Sequence, residues 1–440
     1  MSKFSFSNSN IENTVGILST VSTKDTVTEI TFGTKDLGDK VEVVFNTTSV
    51  GEQIAMKVAA KKPEGFDGTP ITIGVKSTVF QAVIASLTKF GEDVYIDISD
   101  KAVKAGVVGK AEVGLDTVAE LPQKLEGGEV MLQFALKTAE LNSLVKRGLS
   151  TGSQEIRDDG THNAVLSIDV SDGEGRGAVV GFSTTRHLTS LAKGKVLLPV
   201  PQEGNDAAKA QYEATQAVLN AYVEKTGQKK EAFTLVLPVQ AVRHLSALAN
   251  NVELVPFFVT EKYIQVMLGT VGTYTFRQNA KAPASAEALE TIIAQDTDGG
   301  VSIGFDAATL LNGVGFINDM DKLDGTLGRK AVKLTASADG LLMISGNGDK
   351  AKTSVKATAG GGAAECYING ALLRDAIGVL DKGNIVLTFG NSTVMVENGT
   401  PDAKSGNGFA FIMKAQADDT AEEADESEDA SEESGEGADS

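Results

Sequence analysis

Histidine and cysteine are the residues of this 440-residue chain with the widest chemical repertoire, and both are scarce. The three histidines, His162, His187 and His244, show neither the HxxxH nor the HExxH spacing of a catalytic zinc site. Cys366 is the one cysteine, so an intramolecular disulfide is excluded. It lies in the alternating stretch Glu365-Cys-Tyr-Ile, which predicts a small buried apolar residue. We therefore expect no enzyme, no metal site and no cofactor.

Several glycine-rich segments could bind phosphate or calcium, but none has the required pattern. Gly346-Asn-Gly-Asp-Lys and Gly360-Gly-Gly lack the GxxxxGK[ST] motif and are typical of hairpin turns. Asp172-Gly-Glu-Gly-Arg-Gly lies between two alternating stretches, which predicts another turn. Asp296-Thr-Asp-Gly-Gly is too short for a calcium-binding loop.

The charge of the chain is strongly negative and unevenly distributed. The formal net charge is −19, and residues 418–440 hold twelve acidic and no basic residues, which leaves −7 for the remainder. Residues 417–440 hold only Ala, Asp, Glu, Ser, Thr and Gly, a composition that predicts a disordered acidic tail. Such a tail serves solvation, partner binding or mimicry of DNA, and the sequence leaves these alternatives open.

No stretch of the sequence predicts membrane insertion. The chain has no run of eighteen apolar residues, and its first residues alternate polar and apolar without the apolar core of a signal peptide. We therefore expect a cytoplasmic protein with no membrane partner.

The elements that must position these residues follow a sixfold repeat. In each repeat a short alternating strand leads into a helix with apolar residues three and four apart, and further strands with Gly, Asn or Asp turns follow. The repeats begin at residues 4–6, 71–73, 131–134, 233–237, 301–305 and 366–368, with helices over 11–18, 79–87, 141–149, 239–248, 309–316 and 372–380. One helix on a sheet of about four strands buries only one face, so two repeats must pair.

Pairing neighbouring repeats predicts an α+β chain of three tandem domains, over residues 1–124, 125–295 and 296–416. Turn-rich polar segments at 121–128 and 295–300 mark the boundaries. Residues 199–231 break the repeat with an Ala-, Gln- and Lys-rich helical pattern, which we interpret as an insertion into the second domain.

Over residues 1–416 this ordered pattern resembles the bacterial DNA polymerase sliding clamp, the β subunit of DNA polymerase III. Ser153-Gln-Glu-Ile-Arg is similar to the family's HQDVR stretch, and Phe182-Ser-Thr-Thr-Arg-His-Leu is similar to its ATDGHRL. Gly408-Phe-Ala-Phe-Ile-Met-Lys stands where the family ends in YVVMPMRL. Further similar stretches begin at Leu132, Val236, Gln265, Ile303 and Tyr367. The resemblance implies a DNA clamp fold that closes into a ring as a homodimer.

In that family, helices line a channel for duplex DNA. The six helical windows here, residues 9–20, 76–90, 137–149, 239–251, 305–317 and 369–382, carry a net charge of +3, which leaves −22 elsewhere. A weakly basic lining inside an acidic shell suits contacts with phosphates rather than bases. The residues expected to face DNA are Lys24, Lys76, Lys89, Lys137, Lys146, Arg147, Gln154, Arg157, Arg243 and Arg374.

The family also binds short peptides of its partners in a mainly apolar pocket between the second and third domains. The matching residues are Ser183, Arg186, His187, Leu188, Pro238, Val242, Ile412 and Met413. This sequence departs from the family pattern because Thr184-Thr185 replaces Asp-Gly, Arg and His are exchanged, and the chain continues beyond Met413. These departures predict a pocket reshaped for a different peptide.

The resemblance predicts a processivity factor whose partners are duplex DNA, a DNA polymerase, a clamp loader and a second copy of the chain. The missing Trp and the acidic tail favour a phage-encoded member of the family. Two alternatives remain: a phage tail or capsid protein, which Gly-rich β repeats would also suit, and an acidic DNA-mimic inhibitor.

Overall fold

Strand-and-helix pairs recur along the chain in the computed structural model. It describes residues 2–99, 102–125, 128, 130, 132–150, 164–169, 176–184, 188–197, 213, 232–269, 271–278, 285–323, 331–346, 350–380 and 382–413. They form two compact units. Unit 1 comprises the described residues among 1–145, 165–179 and 194–280, and unit 2 those among 146–164, 180–193 and 281–413.

The first half of the chain is mostly strand. Its strands are β1 Ser2–Phe6, β2 Val27–Asp36, β3 Lys40–Ser49, β4 Glu52–Lys61, β5 Ile71–Lys76, β6 Val94–Ser99, β7 Ala102–Val107, β8 Ala111–Leu115, β9 Leu132–Lys137, β10 Ala164–Asp169, β11 Arg176–Thr184 and β12 Leu188–Leu197. Its helices are α1 Asn8–Leu18, α2 Ser77–Leu87 and α3 Thr138–Ser150.

The second half continues the same pattern. Its strands are β13 Ala232–Leu237, β14 Leu254–Val259, β15 Tyr263–Leu268, β16 Gly272–Arg277, β17 Val301–Asp306, β18 Ala331–Ala336, β19 Leu341–Gly346, β20 Ala351–Lys356, β21 Ala359–Gly360, β22 Ala364–Asn369, β23 Asn384–Phe389, β24 Thr393–Thr400 and β25 Ala403–Ile412. Its helices are α4 Val239–Leu248, α5 Ala286–Thr297, α6 Ala307–Leu323 and α7 Gly370–Val379.

All six predicted repeats are confirmed. The strand-to-helix pairs are β1–α1, β5–α2, β9–α3, β13–α4, β17–α6 and β22–α7. The periodicity explains them: β15 buries every second residue, and α1 buries Ile11, Thr14, Val15 and Leu18, the spacing of one helix face.

Unit 1 is organised by antiparallel strand pairing. The strands β5, β2, β3, β4, β16, β15, β14 and β9 pair in that order. A second run, β8, β7, β6 and β1, meets β4 where Ser5 pairs with Lys61. Because β4 pairs with β16 and β14 pairs with β9, strands of the first two repeats and of the fourth share one sheet with the first strand of the third.

Unit 2 contains two sheets around one apolar core. One sheet has β17, β23, β24, β25 and the first half of β12 in order, with β21 also on β17. The other sheet has the order β20-β19-β18-β22. Phe305, Leu310, Ile344, Leu373 and Phe409 are among the buried core residues that the two sheets and α6 and α7 contribute.

Helix α5 was not predicted from the sequence. It follows Ser285, whose side chain accepts a hydrogen bond from the amide of Ala288 at 3.1 Å, and it packs against β24. Its last turn overlaps the segment 295–300 that we interpreted as a domain boundary. The three-domain division itself remains a prediction.

Some predicted features lie outside the described residues. These are the insertion over 199–231 apart from residue 213, the acidic tail over 417–440, and most of the turn after Asp172. Among the helices that the structure describes, none combines the length and apolar character needed to cross a bilayer.

Cys366 is buried in the core of unit 2, as predicted. Burial first, and then the Glu365 charge, raise the pKa of its thiol to about 12. We expect the native protein at pH 8 to resist alkylation by iodoacetamide, because almost no thiolate is present and the sulfur is covered. The urea-unfolded chain should be alkylated quantitatively, which intact-mass spectrometry measures. Rapid labelling of the folded protein would contradict this burial.

Candidate functional site

The helices of unit 1 form a connected layer. Helix α1 packs against α2, and α4 packs against the short 3-10 helix over 19–21 that follows α1. The side-chain amide of Gln81 donates to the Ser22 hydroxyl at 2.5 Å, and that of Asn8 donates to the Thr88 carbonyl at 3.1 Å. Asn142 on α3 donates to Asn250 at 3.2 Å, just after α4. These contacts hold the helix ends in register.

Five of the predicted DNA-facing residues lie on or beside this layer. Lys24 follows α1, Lys76 and Lys137 immediately precede α2 and α3, Lys89 lies just after α2, and Arg243 is on α4. All five side chains are exposed. Within the described part of the chain, none of the five has an ion-pair partner, so each is available to a phosphate.

Of the remaining five residues of that prediction, one has an ion pair and four lie wholly or partly outside the described part of the structure. Arg374 on α7 of unit 2 has an ion pair with Asp319, with 3.3 Å between Nη1 and Oδ1, which offsets part of its charge. Lys146 and Arg147 lie on α3, and their side chains are outside the described part of the structure. Gln154 and Arg157 lie outside the described residues altogether.

Three of the predicted peptide-binding residues lie together at one end of a sheet in unit 2. Leu188 begins β12 and pairs with Phe411, while Ile412 ends β25 and pairs with Thr393. Leu188 is 1% exposed and belongs to the core, whereas Ile412 is 47% exposed. Met413 is half-buried and packs against the same core. Of the three, Ile412 offers the most accessible apolar surface.

The other predicted peptide-binding residues lie elsewhere. Pro238 is the residue before α4 and Val242 is buried in that helix, both in unit 1. Ser183 lies on β11 with its side chain outside the described part, and Arg186 and His187 fall outside the described residues. The peptide pocket therefore remains a prediction.

Glu52, Tyr274 and His244 form a polar cluster in unit 1. The Tyr274 hydroxyl donates to Glu52 Oε1 at 2.7 Å, and His244 Nδ1 is 3.2 Å from Glu52 Oε2. Tyr274 is fully buried and Glu52 is 8% exposed. Burial, the Glu52 charge and this hydrogen bond raise the pKa of Tyr274 far above its ordinary range. A tyrosine held neutral in this way is a structural donor and a poor acid-base catalyst.

This cluster was not predicted from the sequence. The sequence around His244 lacks the spacing of a zinc site, and Glu52 lies 192 positions earlier in the chain. The pairing of β4 with β16 brings Glu52 and Tyr274 together, and helix α4 contributes His244. Among the described residues, no group of three or more potential metal ligands occurs.

Comparison with known proteins identifies the fold. No protein-family model matches the chain, and no curated protein sequence matches it. Solved structures do match. The DNA polymerase sliding clamp of Bacillus subtilis has a TM-score of 0.72 at 17% identity, over 94% of this chain and 99% of that one.

Two further clamps match over 94% of this chain and all of their own, each with a TM-score of 0.70. One is the Helicobacter pylori β clamp bound to a DNA ligase peptide, at 12% identity. The other is the Pseudomonas aeruginosa sliding clamp bound to griselimycin, at 16% identity. The chain therefore has the sliding-clamp fold, as the resemblance implied, and the phage structural-protein alternative gains no support.

Proposed function

We propose that this chain, which has the fold of bacterial DNA polymerase sliding clamps, is a DNA polymerase processivity factor. The observation that carries the proposal is the match in fold over 94% of the chain to three such clamps. In this proposal two copies close into a ring around duplex DNA in the cytoplasm. The ring keeps the polymerase near its primer and raises its effective concentration, so no covalent step is required.

The exposed cations of the unit 1 helical layer support a role in binding DNA. Lysine and arginine side chains without carboxylate partners can approach phosphates and release condensed counterions. Contacts of this kind carry no sequence information, which suits a ring that must move along any duplex. The acidic remainder of the chain would repel DNA from the outer surface.

A partner-peptide site is the second part of the proposal. The Helicobacter pylori clamp is bound to a DNA ligase peptide, and we propose that Leu188, Ile412 and Met413 contribute to a comparable site here. Its apolar character favours a partner that inserts a few side-chain anchors. A clamp loader that opens the ring is a further expected partner.

Negative-stain electron microscopy of the purified protein tests ring formation. We expect class averages of closed rings with about six lobes and a central hole wide enough for duplex DNA. Native mass spectrometry should then give twice the chain mass of 45.8 kDa. Three-lobed arcs at the single-chain mass would contradict a stable homodimer, and filaments or shells would overturn the clamp proposal.

A further inference from the structure

We propose that Asp296, which is outside the set of residues expected to contact the partner, is a positioning residue for partner binding on unit 2. This inference rests on the proposed function, because it concerns how the surface of Ile412 and Met413 is held. The contacts that hold this surface lie within unit 2.

The carboxylate of Asp296 accepts hydrogen bonds from four donors at one hairpin turn, and the Ser392 amide reaches both of its oxygens. Asp296 is the second-last residue of α5, and the turn joins β23 to β24. Oδ1 accepts from the Ser392 amide at 3.0 Å and from its hydroxyl at 2.7 Å. Oδ2 accepts from the Thr393 amide at 2.9 Å and from its hydroxyl at 2.5 Å. One side chain therefore holds both residues.

The backbone of Asp296 contacts the same turn. Its carbonyl accepts from the Asn391 amide at 3.1 Å and from the Asn391 side chain at 3.3 Å. Gly390 passes so close that a Cβ there would lie 2.6 Å from both the carbonyl oxygen and Oδ2 of Asp296. A side chain at position 390 would force the turn away from α5, which explains the glycine.

The same turn is bonded to the last two described residues of the chain, Ile412 and Met413. The Ser392 carbonyl accepts a hydrogen bond from the Met413 amide at 2.9 Å, and Thr393 pairs with Ile412 in the sheet. The two residues fixed by the Asp296 carboxylate are therefore the two that fix Ile412 and Met413. Because that carboxylate is itself on α5, it connects the helix to the proposed peptide-binding surface.

Helix α5 is also fastened at a second point on this sheet. Lys193 on β12 has an ion pair with Glu290, with 3.0 Å between Nζ and Oε1. The helix also packs against β24, which lies next to β25. Helix α5 therefore contacts this sheet through Glu290 and through its packing on β24, in addition to the contacts of Asp296.

The charge state of Asp296 agrees with this role. Partial burial favours the neutral acid, but the hydrogen bonds from Thr393 and Ser392 outweigh it and hold the pKa of the carboxyl below its ordinary value. The carboxyl group of Asp296 is therefore ionised at neutral pH, and as a carboxylate it can accept hydrogen bonds from all four donors.

The test compares Asp296→Ala with Asp296→Asn and with Asp298→Ala as matched control. Asp298 is exposed and two residues away, so its replacement also removes one carboxylate. The probes are the DNA polymerase of the same genome, immobilised for surface plasmon resonance, and a labelled copy of the ligase peptide bound by the Helicobacter pylori clamp. We expect Asp296→Ala to weaken binding about tenfold through faster dissociation, with Asp298→Ala within twofold of the wild type.

A partial rescue separates positioning from a general loss of folding. Asp296→Asn keeps an amide oxygen for Ser392, so we expect an affinity between those of the wild type and Asp296→Ala. Hydrogen–deuterium exchange should be faster at Ser392, Thr393 and Met413 in Asp296→Ala but unchanged in β18 and β22. Faster exchange throughout unit 2 would overturn the positioning role.

Failure of the inference and failure of the proposed function give different results. If the wild type binds the probes and Asp296→Ala binds them as tightly as Asp298→Ala, only the role of Asp296 is wrong. If the wild type binds neither the polymerase nor the peptide, the proposed partner site is wrong and the role of Asp296 falls with it.

Discussion

Replacing Lys76, Lys89, Lys137 and Arg243 together with alanine will make the binding of duplex DNA much less sensitive to salt. These four exposed cations lie on or beside helices of unit 1. Each phosphate contact contributes about 0.9 to the slope of log affinity against log salt concentration, so the slope should fall by about 3 to 4. Between 50 and 200 mM salt, that difference corresponds to about two orders of magnitude in affinity. Fluorescence anisotropy with a labelled duplex measures it.

A matched control keeps the number of charges removed the same. Lys35, Lys40, Lys57 and Lys61 are exposed on strands β2, β3 and β4 of the same unit rather than on its helices. Their replacement with alanine should leave the slope within about 1 of the wild-type value. An equal decrease in the salt slope in the two variants would mean that DNA binding depends on the total charge of the unit and not on where the cations lie. That result would contradict a DNA-binding face on the helical layer.

Replacing Tyr274 with phenylalanine will lower the free energy of unfolding of unit 1 by about 1.5 to 3 kcal/mol. The variant removes a hydroxyl that donates to the buried carboxylate of Glu52 at 2.7 Å, and a hydrogen bond to a charged group is worth that much. Hydrogen–deuterium exchange of β4 and β16 under native conditions measures the loss locally. A local measurement is needed because a chain of two units need not unfold in one step.

Two further variants test the origin of that loss. Tyr263→Phe removes a hydroxyl from the neighbouring strand β15, where the side chain is only half-buried, and it should change stability by less than about 0.5 kcal/mol. Glu52→Gln keeps an acceptor for Tyr274, so its loss should be smaller than that of Glu52→Ala. An equal effect of Tyr263→Phe and Tyr274→Phe would contradict a specific role for the cluster.

The same cluster predicts how stability depends on alkaline pH. The pKa of Tyr274 is raised in the folded state above its ordinary value of 10.0. Its contribution is therefore complete below pH 10 and is lost as the pH rises further, because the unfolded tyrosine ionises and the folded one does not. The loss is about 1.4 kcal/mol for each pH unit above 10. Tyr274→Phe should lack this part of the slope, which urea titrations at pH 9, 10 and 11 measure.

The alternation and the helical spacing of apolar residues were sufficient to predict the six strand-and-helix repeats. Local periodicity states which face of an element is buried, and it does so without knowledge of the partner. The alternation around Cys366 likewise predicts a buried residue, and Cys366 is in the core of unit 2. Lys76, Lys89 and Lys137 could also be assigned to the basic helical windows from the sequence, because the net charge of a window is a sum over its residues and does not depend on the fold.

Local sequence patterns did not predict helix α5. Ser285 and the apolar pair Ile292-Ile293 are signals of a helix, but the Asp-Thr-Asp-Gly-Gly segment that follows is typical of a turn and drew the boundary there. This segment is part helix and part turn: Asp296 lies in the last turn of α5, and its carboxylate accepts hydrogen bonds from a turn about 95 residues later.

The repeats, the buried cysteine and the acidic composition were therefore determined by the sequence alone, since each depends on neighbours along the chain. Only the tertiary structure decided that Glu52 meets Tyr274 and His244, and that Asp296 holds the turn supporting Ile412 and Met413. These contacts join residues far apart in sequence, and strand register chooses among many possible partners. The sequence shows that a buried carboxylate needs hydrogen-bond donors, but only the fold determines which residues donate to it.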